Sequence, residues 1–134
     1  MKIHHIGIVV DDIEKSTTIY ETLGYEKTSN IVEDLIQNNK LLFLKQSNSD
    51  VVIELIQPMS EKSTVYNKGN AGIHHFCYQV ENLEEFISDF KEKRIGKIFT
   101  NKIKAPAFAN REVIFAYLKN GTIIEVIQED DTME

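Results

Sequence analysis

An α+β fold made of two copies of a strand, helix, three-strand module is what this 134-residue sequence predicts, and three observations predict it. The first is a repeat: Ile3-His4-His5 returns as Ile73-His74-His75, and the match runs on through Val10/Val80, Asp12/Asn82, Ile13/Leu83 and Glu14/Glu84 at an offset of 70. The second is another repeat, in which Val52-Ile53-Glu54-Leu55-Ile56-Gln57 returns as Ile123-Ile124-Glu125-Val126-Ile127-Gln128 at an offset of 71. The third is periodicity: Ile3 to Val10 alternates with the period of two that a strand requires, and helix-capping residues follow it in both copies. Internal repetition decides an architecture before any local reading does. The modules are expected at about 1–66 and 73–134, joined by a polar stretch at 67–72 whose glycines suit a turn, all within one domain.

Each element follows in order. After the first strand, Asp11-Asp12 offers an N-cap for a helix reaching about Leu23, and Gly24 is placed to close it in the left-handed conformation. In the second copy Val80 ends the strand, Glu81-Asn82 caps, the helix runs from Leu83 to about Arg94, and Gly96 is expected to stop it. The remaining strands are expected at 25–33, 39–46 and 51–57, then at 97–103, 111–118 and 122–128. Ser47-Asn48-Ser49-Asp50 and Asn120-Gly121 supply hairpin turns, Pro106-Ala107 marks a loop, and 60–67 is read as a short helix.

Composition narrows the function. With 42% apolar and 27% charged residues the chain reads as a globular protein, and no apolar run approaches the ~20 residues of a membrane helix. A net charge of −6, with no basic cluster beyond Lys91-Glu92-Lys93-Arg94, argues against nucleic acid as a partner. The N-terminus lacks the pattern of a secretory signal and Cys77 is the single cysteine, so a cytoplasmic location is expected.

Strand periodicity singles out four side chains. His5, Gly7 and Val9 share one face of the first strand, while the more apolar His4, Ile6, Ile8 and Val10 share the face expected under the helix. In 52–57, Glu54 stands on a face with Val52 and Ile56, a carboxylate among β-branched residues that needs a partner if buried. The second copy repeats both placements with His75 and Glu125. If the modules pair about a pseudo-twofold axis, His5, Glu54, His75 and Glu125 converge, and two imidazoles with two carboxylates suit one divalent ion such as Ni²⁺, Co²⁺, Zn²⁺, Mn²⁺ or Fe²⁺. His4 and His74 are read as structural, Cys77 as a small buried hydrophobe, and the helix charges such as Glu84 and Lys91 as solvated. Lys40, Lys45, Lys102, Lys104 and Arg111 are weak candidates for an anion-binding rim.

The segments His4-His5-Ile6-Gly7-Ile8-Val9-Val10, Ile53-Glu54-Leu55-Ile56-Gln57-Pro58, Gly72-Ile73-His74-His75 and Gly121-Thr122-Ile123-Ile124-Glu125 resemble the vicinal oxygen chelate superfamily, in particular glyoxalase I and methylmalonyl-CoA epimerase. The resemblance spans nearly the whole chain. It implies paired βαβββ modules forming an open, barrel-like mixed sheet around a metal-binding cavity, the glyoxalase/bleomycin resistance fold, often as a homodimer. It also implies His5, Glu54, His75 and Glu125 as ligands of one divalent metal; Glu54 or Glu125, displaced or loosely held in the substrate complex, is then placed to act as the catalytic base. Epimerases of the group usually carry a Glu followed by Gln at the start of the third strand, and here the best match is Ile36-Gln37.

With that second acid missing, the preferred reading is a metal-dependent isomerase or lyase of glyoxalase I type, lactoylglutathione lyase-like, moving a proton through a metal-stabilised enediolate on a thiol-2-oxoaldehyde adduct. The alternative is racemisation of a 2-substituted malonyl thioester, as in methylmalonyl-CoA epimerase, and a further alternative is a non-enzymatic drug-binding protein of the same fold. The expected partner is thus a small-molecule carbonyl or thioester substrate.

Overall fold

The computed structural model of the protein describes residues 1–66 and 72–130. Among them are ten strands and two helices. In chain order these are β1 (Lys2–Val9), α1 (Ile13–Thr22), β2 (Tyr25–Lys27), β3 (Val32–Asp34), β4 (Asn39–Gln46) and β5 (Val52–Pro58), then β6 (Gly72–Val80), α2 (Leu83–Lys93), β7 (Gly96–Ile98), β8 (Ile103–Ala105), β9 (Arg111–Leu118) and β10 (Ile123–Gln128). A 3-10 turn, Pro106–Phe108, follows β8. Internal contacts group the chain into two compact units, His5–His74, and Met1–His4 with His75–Glu134. The expected linker lies outside the described residues except for Gly72, which already belongs to β6.

In the unit containing α1, β2 and β3 pair antiparallel with β4, β4 pairs antiparallel with β5, and β5 runs parallel to β1. The unit containing α2 repeats the plan, with β7 and β8 on β9, β9 antiparallel to β10, and β10 parallel to β6. In each unit the helix covers one face of the strands. Val10, Ile13, Leu42, Leu44, Ile53 and Leu55 form the core under α1, while Val80, Leu83, Phe90, Ile114, Ala116 and Val126 do so under α2. The alternation of strand side chains then sends His5, Phe43 and Glu54 to the opposite face in one unit, and His75, Phe115 and Glu125 in the other.

The helix starts follow the sequence. Asp12 accepts hydrogen bonds from the amides of Glu14 and Lys15, and Asn82 accepts one from Glu85. Gly24 sits at φ +90° after the α1 C-cap, as expected. The end of α2 differs: Arg94, not Gly96, takes the left-handed conformation at φ 52°. Gly96 lies in β7 for a reason of space. A Cβ there would collide with the Tyr117 carbonyl and come within 2.9 Å of both Leu118 Cα and Phe90 Cζ.

The strands expected at 25–33 and 97–103 are each broken in two. Ser29 Oγ accepts the amide of Phe43 at 3.1 Å, and Thr100 Oγ1 accepts the amide of Phe115 at 3.0 Å. In both breaks a hydroxyl stands where a ladder carbonyl would otherwise accept. Of the helix expected over 60–67, residues 60–65 form turns, because Ser60 Oγ and Ser63 Oγ take the amides of Lys62 and Val65, and Tyr66 has 3-10 conformation; residue 67 lies outside the described residues.

Candidate functional site

In the first unit, the parallel register of β1 on β5 sets Gly7 opposite Glu54, which leaves His5 and Glu54 as diagonal neighbours on one face. His5 Nε2 lies 3.3 Å from Glu54 Oε1, with side-chain exposures of 0% and 5%. Phe43, the register partner of Glu54 on β4, presents its ring edge-on to the His5 imidazole, with centroids 5.7 Å apart. An apolar ring thus restricts the imidazole and excludes water from it.

The second unit builds the same constellation. His75 Nε2 lies 3.0 Å from Glu125 Oε1, with exposures of 3% and 5%, and Phe115, the β9 partner of Glu125, stands edge-on to His75 at 5.4 Å. Cys77, Val113 and Ile127 form the buried apolar wall of that face.

Behind each pair the scaffold also repeats. The Phe43 and Phe115 amides are held by Ser29 and Thr100 as described. Gln57 Oε1 accepts the amide of Ile13 at 2.8 Å, and Gln128 Oε1 accepts that of Leu83 at 2.8 Å, tying the first turn of each helix to the strand that carries the glutamate. None of these four supports was singled out from the sequence, although Gln57 and Gln128 lie inside the repeat.

Each pair is an imidazole nitrogen and a carboxylate oxygen enclosed by apolar side chains. A buried carboxylate requires compensation of its charge, and imidazole with carboxylate is a donor set that first-row divalent ions accept. The residues therefore fit a divalent metal, without naming which one.

Four of the other candidates, Cys77, His4, Arg111 and Lys102, take structural places. Cys77 is fully buried in an apolar cluster, and His4 packs edge-on against Phe108 at 5.0 Å. Arg111 donates to the carbonyls of Phe108 and Gln128 and lies over the Phe108 ring, so it is a clamp and not a free anion site. Lys102 pairs with Glu84, which binds that helix carboxylate as well. Ile36, where a second acid would stand, is 60% exposed at the tip between β3 and β4. That tip is set from below by Asp34, whose Oδ1 accepts the amides of Ile36 and Gln37 at 3.0 and 2.9 Å.

Comparison with known proteins gives this geometry a context. The chain is 29% identical to the ethylmalonyl-CoA/methylmalonyl-CoA epimerase of Cereibacter sphaeroides over 134 residues, covering 95% of this chain and 97% of that one. It is 27% identical to the mitochondrial methylmalonyl-CoA epimerase of Homo sapiens, covering 95% of this chain and 73% of the relative. The crystal structure of methylmalonyl-CoA epimerase from Mycobacterium tuberculosis superposes with a TM-score of 0.84 at 20% identity, over 98% of this chain and 90% of that one. The expectation of an enzyme stands with these relatives. The curated relatives support the epimerase alternative better than the preferred glyoxalase I reading, which draws on the complete set of four ligands and the lack of an acid at Ile36. Residues 4–115 match the model of the glyoxalase/bleomycin resistance protein/dioxygenase superfamily, and the chain belongs to that superfamily.

Proposed function

We propose that this protein is a metal-dependent epimerase of 2-substituted malonyl-CoA thioesters, in which His5, Glu54, His75 and Glu125 hold one divalent ion. The observation that carries this reading is the duplicated His–Glu pair, buried at matching strand positions. The curated relatives, epimerases of that substrate class aligned over 95% of the chain, supply the chemistry to test.

Epimerisation begins with removal of a proton α to a thioester carbonyl. Such a C–H is a far weaker acid than a carboxylic acid, so unaided transfer to a carboxylate is steeply uphill, at ~1.36 kcal/mol for each pKa unit of mismatch. The chemistry a divalent cation supplies when bound is polarisation of the thioester oxygen, which acidifies the α C–H. The apolar rings of Phe43 and Phe115 keep the surroundings of both pairs dry, so electrostatic effects there are little screened. Inversion needs a proton taken from one face of the planar carbon and returned to the other. The repeat provides two carboxylates for these tasks, Glu125 and Glu54, without an acid at position 36, and a carboxylate that holds an ion through one oxygen keeps the other for the proton.

The test is proton exchange and stereochemistry together. Metal-replete protein incubated in D₂O with single-enantiomer methylmalonyl-CoA is expected to wash deuterium into C2 and to yield the racemate. No exchange, with turnover of the hemithioacetal of methylglyoxal, would return the protein to glyoxalase I-type chemistry. That second reading is favoured by one feature, the exposed Ile36 in place of an acid.

A further inference from the structure

A feature of the α2 unit has no counterpart in its twin. On β7 and β9 the face opposite α2 continues outward from Phe115 into an aromatic pair: Phe99 lies 6.2 Å from Phe115, and 4.4 Å from Tyr117 with the rings inclined by 32°. Ile98, Ala116 and Leu118 point the other way, into the core under α2. Phe99 and Tyr117 are 43% and 41% exposed, a degree of exposure that costs free energy for two stacked rings unless something covers them. Lys97, exposed and the register partner of Tyr117, lies on the same face by strand alternation.

The twin serves as an internal control. The Phe99 amide donates to the Phe115 carbonyl as the Thr28 amide donates to the Phe43 carbonyl, and Lys97 faces Tyr117 as Glu26 faces Lys45. At the same three places, then, one unit has Lys, Phe and Tyr and the other has Glu, Thr and Lys. Both units need what builds a His–Glu pair, so what only one unit carries serves something that is not symmetric. A substrate is not symmetric.

We infer that Phe99 and Tyr117, with Lys97 beside them, form a platform that receives the purine nucleotide end of the thioester substrate, the base on the rings and a phosphate at the ammonium. This rests on the epimerase reading, which makes the substrate a coenzyme A thioester. Aromatic rings take any base by its π-face, and a nearby lysine supplies the charge that a phosphate needs. The ring contacts run from His75 through Phe115 and Phe99 to Tyr117 in steps of 5.4, 6.2 and 4.4 Å, which links the platform to a proposed metal ligand as a long, flexible thioester arm would require.

The experiment compares methylmalonyl-CoA with the truncated methylmalonyl-N-acetylcysteamine thioester on the full chain with metal. Tyr117→Ala and Phe99→Ala are each expected to raise KM for the coenzyme A thioester about 10-fold, with kcat little altered and without a matching rise for the truncated substrate. Lys97→Gln is expected to raise the same KM by about 3-fold and to flatten its salt dependence. Equal losses on both thioesters, or none on either, would overturn the platform. Binding of adenosine 3′,5′-bisphosphate, followed by calorimetry, separates the two readings. If neither thioester turns over, the epimerase reading fails, while nucleotide binding that Tyr117→Ala weakens about 10-fold still supports the platform. Absence of nucleotide binding to the unsubstituted protein, or a change of oligomeric state in Phe99→Ala by sedimentation, would overturn it in favour of a contact between copies.

Discussion

The two units solve the same problem twice, and where they agree and where they part is informative. Both set a histidine and a glutamate side by side with an aromatic edge over the imidazole, a hydroxyl on that aromatic's amide, and a glutamine on the first helical amide. They part under the helix. In the first unit Tyr25 packs edge-on against Tyr20 at 5.5 Å, whereas the second has Gly96 in the corresponding place with Phe90 pressed onto it. Hydrophobic packing tolerates different solutions of equal volume, but donor atoms placed to a fraction of an ångström do not. Agreement between the halves therefore marks chemistry and its supports, and disagreement marks local packing or specificity.

The largest effect expected is at the paired acids. Glu125→Gln and Glu54→Gln should each lower kcat by about 10²-fold or more in protein loaded with metal, as loss of a positioned base does. Near-normal turnover in either variant would break the equivalence and leave the other acid as the sole base. Metal analysis should find one divalent ion per chain, and two per chain would mean that each pair binds its own.

Next comes packing. Gly96→Ala should destabilise by about 2–3 kcal/mol, since the new methyl meets backbone that cannot yield, whereas Gly24→Ala, with an ordinary contact to Gln46 Nε2 at 3.9 Å but a positive φ, should cost about 1 kcal/mol. Urea unfolding of both variants decides, and equal midpoints would contradict the account of Gly96. Thr100→Val and its counterpart Ser29→Ala each leave a strand amide without its acceptor, for an expected ~1–3 kcal/mol. Loss of more than twofold in metal affinity with either would show that Phe43 or Phe115 steers the imidazole. The smallest difference concerns the glutamines. Gln128→Leu should cost more than Gln57→Leu, by about 1 kcal/mol, because Gln128 also donates to the Glu81 carbonyl at 2.6 Å.

Much of this could be read from residues alone. The repeat revealed the α+β class, and the caps at Asp12 and Asn82 located the helix starts because a cap acts through its own next few amides. The alternation that isolated His5, Glu54, His75 and Glu125 from the helix-side residues is likewise local, and the structure sets them in the buried pairs described. What escaped notice depends on partners far along the chain. Ser29 and Thr100 break their strands for the sake of amides 14 and 15 residues away, which strand periodicity does not record. Phe43 and Phe115 match at an offset of 72, outside both registers of the visible repeat. Gly96 has the sequence signature of a helix stop, a glycine just past a helix, and only the Phe90 ring and the Tyr117 carbonyl reveal the steric demand.

The glutamine clasp has a consequence for folding fidelity. Gln57 stands three residues beyond Glu54 on β5, and Gln128 three beyond Glu125 on β10, so one strand fixes both a helix's first hydrogen bond and a carboxylate. Sliding either strand by a single residue would turn its glutamate into the oily layer and strip the helix of its anchor at once. Misaligned chains thus lose twice over, and a correctly started helix certifies that the acid beneath it has arrived on the right side.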